Sequence, residues 1–518
     1  MKNKKFTILI IFVILFFLLT FIFLKTDYRI TPEGNTNNYF IKNIVSEDGQ
    51  FSFSYFEPLN EKYNQKNFAP RSAAYSEYAR EVVPLTSPGV LLIFGFITYL
   101  FGGYFIFLAI LATVGMFYYY KSLRIIFGKS NAKTIILLVS LFPVLVYWLG
   151  NLITNIIALD FFFIGLYYLI KQDKIKKPNE FYLSLFFFSL SLLIRYDFII
   201  YCIALFPFLR INYFLKNKQK IIIPIIIFFS VFIVNLYFNL NYLGGILKTG
   251  YSLASNTSTI ITSVGGMSKL GLALQNIAKY LFGFFGFLTI PGIIIAIKNL
   301  RSEKQIIKKY AIFSLVSLIL SISLFSWGRF YGIFTNNIDL TQSHLRYYLP
   351  IYLIFIPYSL AWIKESFSNR VKIMAFFLIF LTIFSTSLFV LDTSLLTNQV
   401  REKSNTDFRS IILNNTEENS IIFTKFNDKF IFPDRKIFNY YGNGLKEKKT
   451  RLKEVCIVLN LMVSQKEKIY FIKENFKQSI VKERGYATFE EYAENCKKMN
   501  IHFIEIERNI FRAVINEN

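Results

Sequence analysis

The chain has 518 residues, of which 54% are hydrophobic and 60 are Phe, and its formal net charge is +25. Repeated apolar runs of roughly fifteen to twenty residues exclude a soluble nucleic-acid binder in spite of that charge. The sequence is that of a polytopic α-helical membrane protein.

At the N-terminus, Lys2, Lys4 and Lys5 precede a long apolar run, and no small-residue cleavage site follows Phe23. The segment reads as an uncleaved signal anchor crossing at 6–24. Residues 25–88 then form a long polar loop with eight carboxylates and seven Lys or Arg. In a chain otherwise joined by short connectors, such a loop is where chemistry concentrates. Val90–Phe101 is apolar but only about twelve residues long, between Pro84, Pro88 and the Gly102-Gly103 pair, which suits an interfacial or re-entrant helix better than a span. Further spans are predicted at 103–120, 134–149, 154–170, 181–194, 197–210, 221–241, 280–297, 310–327, 347–363 and 373–391, so that about eleven helices cross the membrane.

Charge orients these spans. Connectors 2–5, 121–133, 171–180, 210–220, 298–309 and 364–372 hold 23 Lys or Arg, whereas 149–155, 194–198, 242–280 and 328–347 hold six. The positive-inside rule therefore puts the N-terminus in the cytoplasm and the 25–88 loop outside. With Asp173, Glu180, Glu303 and Glu365 subtracted, the inner face carries +19 of the total. The positive charge is thus a topology signal with some attraction to anionic membrane lipids, and it implies no nucleic-acid partner.

From residue 392 the composition turns to mixed charge, with 22 Lys or Arg and 18 Asp or Glu. Short β-prone runs at Ser420–Lys425, Lys468–Ile472, Ile501–Ile506 and Phe511–Ile515 alternate with helical patterns at Leu445–Val463 and Thr488–Met499. The division is a transmembrane domain, 1–391, and a small extracytoplasmic α/β domain, 392–518. Of Cys202, Cys456 and Cys496, only Cys456 and Cys496 are placed to bridge outside the membrane.

Candidate chemistry lies on the outer face. Asp27 follows the first span closely, and Thr31-Pro32-Glu33-Gly34-Asn35 places Glu33 beside turn-forming residues that would aim it into a cleft. The competing reading is a solvated turn. Asp160 lies within the fourth predicted span, where an ionisable side chain is costly and is by default functional or paired. Arg195 and Asp197 bracket Tyr196 at a span end and either contact substrate or neutralise each other. Ser343-His344-Leu345-Arg346-Tyr347-Tyr348-Leu349-Pro350 stands at the mouth of a late span, where Arg346 would clamp a phosphate with His344 beside it, or would serve with Tyr347 as an interfacial anchor. Asp428-Lys429 and Pro433-Asp434-Arg435 form a compact charged stretch that reads as a solvated turn or a face toward the membrane surface. No Asp-x-Asp pair or zinc-ligand spacing occurs, so no cofactor is predicted; a divalent metal is compatible but unsupported by ligand spacing.

A short anchor, an acidic first outer loop, a Pro-flanked helix ending in Leu100-Phe101-Gly102, a basic inner loop ending in Phe127-Gly128, and Arg-Tyr-x-x-Pro before a late span together resemble the C-type membrane glycosyltransferases. The similarity is to the branch containing protein O-mannosyltransferases and lipid A aminoarabinose transferases, and it covers most of residues 1–391. The resemblance implies a polyprenyl-phosphate-linked sugar donor, a protein, lipid or glycan acceptor, and inversion at the anomeric carbon. It implies an acidic general base in the first outer loop, at Glu33 here, with Asp27, Asp48 and Glu57 in reserve because the family's acidic pair is not intact. Asn38-Tyr39 matches the family's downstream Asn-Tyr, and Arg71 and Arg346 fall where this branch carries cations. Two other classes stay open: a transporter or flippase of lipid-linked sugars, motivated by Asp160 and Arg195, and an oligosaccharide ligase or polymerase, which usually places its large outer loop late.

Overall fold

The computed structural model describes residues 32–46, 73–142, 144–146, 152–175, 178–209, 222–246, 248, 250, 285–327, 338–385, 395–424, 427–440, 448–473 and 487–515. The predicted anchor 6–24 and the residues Asp27, Asp48, Glu57 and Arg71 lie outside these. The chain divides into two compact units. One takes Met1–Lys25, Ser87–Asn235 and Ile260–Gln399; the other takes Thr26–Thr86, Leu236–Thr259 and Val400–Asn518.

The 25–88 segment is not wholly a loop. Helix α1, Pro32–Ser46, opens it, and the hairpin β1, Ala73–Ser76, with β2, Glu81–Pro84, closes it. Pro32 at the first helical position and Glu33 in the first turn are favourable start signals. The Pro-Glu-Gly sequence is therefore the first turn of a helix and not the loop turn expected from its composition. Ser76 donates to the Tyr242 carbonyl at 2.6 Å, and Val83 packs with Phe238 and Leu243.

Helix α2, Pro88–Phe101, has 14 residues. At 1.5 Å per residue it is about 21 Å long, short of a hydrocarbon core of about 30 Å. Gly102 ends it at φ 70°, in the left-handed region, with its N–H on the Thr98 carbonyl. Val90, Leu91, Phe94 and Ile97 are buried, whereas Phe96, Tyr99, Leu100 and Phe101 are exposed. The helix thus offers one apolar face to the protein and a second to its surroundings.

Next come α3, Phe105–Phe127; α4, Lys129–Ser140; α5, Thr154–Ile175; α6, Pro178–Ile194; and the short α7, Ile199–Ala204. They are followed by α8, Ile222–Phe238; α9, Gly286–Lys298; α10, Gln305–Trp327; α11, Ile338–Ser366; and α12, Asn369–Ser385. Among the described residues four helical stretches are long and apolar enough to cross a membrane: Phe105–Phe127, Thr154–Lys174, Ile226–Leu243 and Gln305–Leu324. The span expected at 197–210 is instead a broken run: a 3₁₀ turn at Tyr196–Phe198, α7, and a second 3₁₀ turn at Phe206–Phe208. Pro207 sits in that last turn, where it denies an N–H to a continuing helix.

Close backbone packing joins α3 to α5. A Cβ added at Gly115 would lie 2.5 Å from Asp160 Oδ1 and 2.9 Å from Asp160 Cα. Buried tyrosines fill the centre: Tyr119 donates to the Leu353 carbonyl and stacks on Phe163, and Tyr310 stacks on Tyr358 beside Phe127.

At one end of this helical unit the described parts of four cationic connectors, 121–133, 171–180, 298–309 and 364–372, pair with one another. Lys171 pairs with Glu180 and Lys309 with Asp173, each at 2.6 Å; Asn131 donates to Glu365 at 2.7 Å, and Lys364 donates to the Ser130 carbonyl at 2.7 Å.

In the second unit the tail supplies α13, Leu395–Asn415; β3, Ile421–Thr424; the single turn α14, Asp428–Ile431; β4, Lys436–Asn439; α15, Lys448–Ser464; β5, Ile469–Ile472; α16, Phe489–Lys497; β6, Ile501–Glu507; and β7, Ile510–Ile515. The sheet order is β4-β3-β5-β7-β6, parallel from β4 to β5 and antiparallel from β5 to β6. Helices α15 and α16 close over one core with the sheet, joined by the Cys456–Cys496 disulfide. Thr488 and Glu491 form a reciprocal capping box at the start of α16.

Among its described side chains, the charged stretch 428–435 is a solvated turn only at Pro433 and Asp434, which are exposed. Asp428 is buried, and buried Arg435 caps the end of α13 by donating to the carbonyls of Leu413 at 3.0 Å and Thr416 at 2.8 Å.

Candidate active site

Glu33, Asn38 and Tyr39 share helix α1 in the second unit. Glu33 is 5% exposed, so its carboxylate is enclosed, in the first turn where the helix N-terminus favours negative charge. Burying a carboxylate is costly unless polar groups or positive potential compensate it, and such enclosed acids are a recurrent feature of catalytic sites. Asn37, one turn on, accepts a buried hydrogen bond from Thr86 Oγ1 at 2.9 Å. Asn38 is half-buried, and half-buried Tyr39 lies edge-on to Phe432 with centroids 4.7 Å apart.

Arg195 and Arg346 belong to the helical unit, where the structure brings them onto one aromatic ring. Each guanidinium carbon lies 5.2 Å from the centroid of Tyr347, and Arg346 Nη2 donates to Tyr347 Oη at 3.4 Å. Arg195 is 6% exposed and grips Asp197 in bidentate fashion, Nε to Oδ1 at 2.7 Å and Nη2 to Oδ2 at 2.6 Å. Its Nη1 donates to Thr154 Oγ1 at 3.0 Å and Asn155 Oδ1 at 2.8 Å. The pair foreseen from the i, i+2 spacing is therefore formed, with two helix-start residues completing it. His344 is in α11, its side chain outside the described residues, as is all of Arg71.

Several participants carry no sequence motif. Ser87 donates to the Leu193 carbonyl and, at 3.1 Å, to Asn235 Oδ1, which also accepts from Tyr196 at 3.2 Å. Asn235 had a signal: it is a buried amide in the apolar run Ile225–Leu236. Thr154 and Asn155 had only their place at the start of a span. Together these contacts join the start of α2, the start of α5, the Arg195–Phe198 junction, the end of α8 and the N-terminal half of α11. These are the ends read from charge as one face, and the cationic connectors lie at the opposite ends of α5, α6 and α11.

Asp160 is 4% exposed on α5 against Gly115, about one and a half turns from the Thr154–Asn155 start. Among the described residues no three His, Cys, Asp or Glu side chains cluster as metal ligands.

The family profile described as dolichyl-phosphate-mannose-protein mannosyltransferase matches residues 84–238. That stretch contains α2, Asp160, the Arg195–Asp197 pair and Asn235. No curated protein matches the chain in sequence. Among solved structures, ArnT from Cupriavidus metallidurans in the apo state superposes with a TM-score of 0.58 at 10% identity, covering 99% of this chain and 98% of that one. The same protein bound to undecaprenyl phosphate gives 0.57 at 9% identity, covering 99% of each chain. The archaeal oligosaccharyltransferase AglB from Archaeoglobus fulgidus, in complex with an inhibitory peptide and a dolichol-phosphate, gives 0.54 at 12% identity, covering 99% of this chain and 75% of that one. At such identities the likeness shows the fold, and with the apolar helices it marks a membrane protein. The family profile and the shared fold together show that this chain resembles the C-type membrane glycosyltransferase superfamily.

Proposed function

We propose that the protein is an integral-membrane glycosyltransferase that moves a sugar from a polyprenyl-phosphate-linked donor to a hydroxyl of a protein, lipid or glycan acceptor. The observation that carries the proposal is Glu33: an enclosed carboxylate on a helix of the first polar segment, in a chain with the C-type fold. Undecaprenyl phosphate and dolichol-phosphate, bound by ArnT and AglB, support a lipid-phosphate donor.

In this mechanism Glu33 accepts the acceptor hydroxyl's proton as the oxygen bonds to the anomeric carbon. The bond from that carbon to the phosphate oxygen breaks, its electron pair leaves with the lipid phosphate, and the sugar inverts. Arg346 meets the developing charge, while Arg195 holds the neighbouring connector through Asp197, Thr154 and Asn155 and supports Tyr347. Asn38, Tyr39, Arg71 and His344 are assigned to substrate contact. No step is routed through a metal ion.

The site faces the extracytoplasmic side in this proposal, with the N-terminus cytoplasmic, about eleven spans, and residues 392–518 as an extracytoplasmic domain. The Cys456–Cys496 disulfide supports that side, because such bonds persist in oxidising compartments. The testing experiment supplies a labelled polyprenyl-phosphate sugar to membranes containing the protein, Glu33→Gln or Arg346→Ala. The expected losses in kcat are about 10²- to 10⁴-fold for Glu33→Gln and about 10²-fold for Arg346→Ala. Transfer at the unaltered rate by Glu33→Gln removes Glu33 as the base.

A further inference from the structure

Within the unit that contains α1, a segment of the tail packs onto the same helix. Asp428–Ile431 makes a single turn whose Phe430 and Ile431, together with the following Phe432, are buried. The Phe432 ring meets Tyr39 edge-on at 4.7 Å, and the next two α1 residues, Phe40 and Ile41, are wholly buried. On its other flank, α1 is held by the buried Thr86–Asn37 hydrogen bond. The tail segment is itself anchored: Arg409 pairs with Asp434, and Arg435 donates to Thr416 Oγ1 at 3.1 Å and to two carbonyls at the end of α13.

Helix α1 needs such support. It has 15 residues, close to the length at which an isolated helix is marginal in water, and Asn35, Asn37, Asn38 and Asn43 are weak helix formers. Its placement therefore rests on packing. Tyr39 is six residues from Glu33, about 9 Å along the axis, so a shift at the Phe432 contact displaces the carboxylate.

We propose that Phe432 is a positioning residue: through Tyr39, the C-terminal domain fixes where α1 presents Glu33, a role that rests on the reading of Glu33 as general base. Tail and helix are thus one working element, and the tail serves the reaction without touching the reacting atoms.

The test uses the full chain in membranes with Phe432→Ala, Phe432→Leu, Phe432→Tyr and, as a control in the tail's own core, Val458→Ala. Hydrogen–deuterium exchange of residues 36–46 is measured alongside transfer from a labelled polyprenyl-phosphate sugar. The Ala and Leu variants are expected to lose protection in α1 and to lose about 10- to 100-fold in kcat, because a displacement of about 1 Å has that effect. KM for the donor stays constant and the acidic limb of the pH–rate profile moves. Phe432→Tyr and Val458→Ala keep both protection and rate. If Phe432→Ala does not accumulate, Phe432→Leu carries both readouts. Unchanged exchange in α1 overturns the coupling, and lost protection with unchanged kcat and pH profile overturns the positioning role. A fully active Glu33→Gln overturns the base assignment alone, because the exchange result stands without it.

Discussion

Replacing Arg195 separates a scaffold role from a substrate-binding one. Four donor bonds of 2.6 to 3.0 Å join its guanidinium to Asp197, Thr154 and Asn155, with Arg195 6% and Asp197 14% exposed. Arg195→Met leaves the Asp197 carboxylate enclosed without its counter-charge, which costs about 3–5 kcal/mol. Asp197→Asn keeps some of the hydrogen bonding but leaves the more deeply buried Arg195 without its counter-charge, which also costs about 3–5 kcal/mol. The double variant no longer contains an uncompensated charge, so its cost falls short of the summed singles by about 1 kcal/mol or more. The assay is SDS titration of the purified protein in mixed micelles, with donor KM measured on the folded fraction. A stability loss below about 1 kcal/mol for Arg195→Met, or single-variant costs that simply add, refutes the scaffold role. A raised donor KM at unchanged stability would place Arg195 on the substrate instead.

Gly115→Ala puts a methyl group 2.9 Å from Asp160 Cα. Restoring ordinary contact near 3.8 Å separates α3 from α5 by about 1 Å and destabilises by about 1–3 kcal/mol; the same SDS titration detects it, and wild-type stability contradicts the close packing. Reducing Cys456–Cys496, 40 residues apart, releases about 4 kcal/mol of loop constraint. Thermal melting with and without reductant should therefore separate, and coincident curves would contradict a bridge that matters to the tail. Hydrogen bonding and charge from Lys473 at 2.6 Å, with a backbone hydrogen bond, hold the Glu490 carboxyl below its usual range. That contribution is present above the unfolded value, about 4.3, and is lost as pH falls through the lower folded value. Glu490 is 62% exposed, so the effect is small and salt-screened. Acid titration of stability should show a slope that Glu490→Gln flattens, and identical profiles would remove the pair.

Local signals carried α2. Pro88 starts it, Gly102 stops it, and the length between them was too short for a span, as the structure has it. The four strands expected in the tail appear with boundaries shifted by at most one residue; β3 and β5 are buried throughout, whereas β6 is exposed from Ile504 onward. Strand β4 has the weakest signal, because in Lys436-Ile437-Phe438-Asn439 only two apolar residues stand between polar ends, whereas β3 and β5 hold three and four in a row. Helix α1 has the sequence of a loop because its asparagines depress helix propensity, and tertiary packing overrides that preference. The Arg195–Asp197 pair was visible from spacing, but its Thr154 and Asn155 partners lie 41 and 40 residues away. Charge runs marked four connectors whose described residues pair in the fold, 121–133 with 364–372 and 171–180 with 298–309. The 428–435 stretch reads differently in the fold for the opposite reason: two of its charges, Asp428 and Arg435, are buried, which composition alone does not reveal.

Bond cleavage in a lipid-linked sugar is tested most directly in proteoliposomes containing the purified protein and a polyprenyl-phosphate sugar labelled in both sugar and lipid. The account predicts that the two labels separate in step with transfer to acceptor, and that Glu33→Gln slows both together. Labels that remain on one molecule while it crosses the bilayer would contradict the account and identify a transporter.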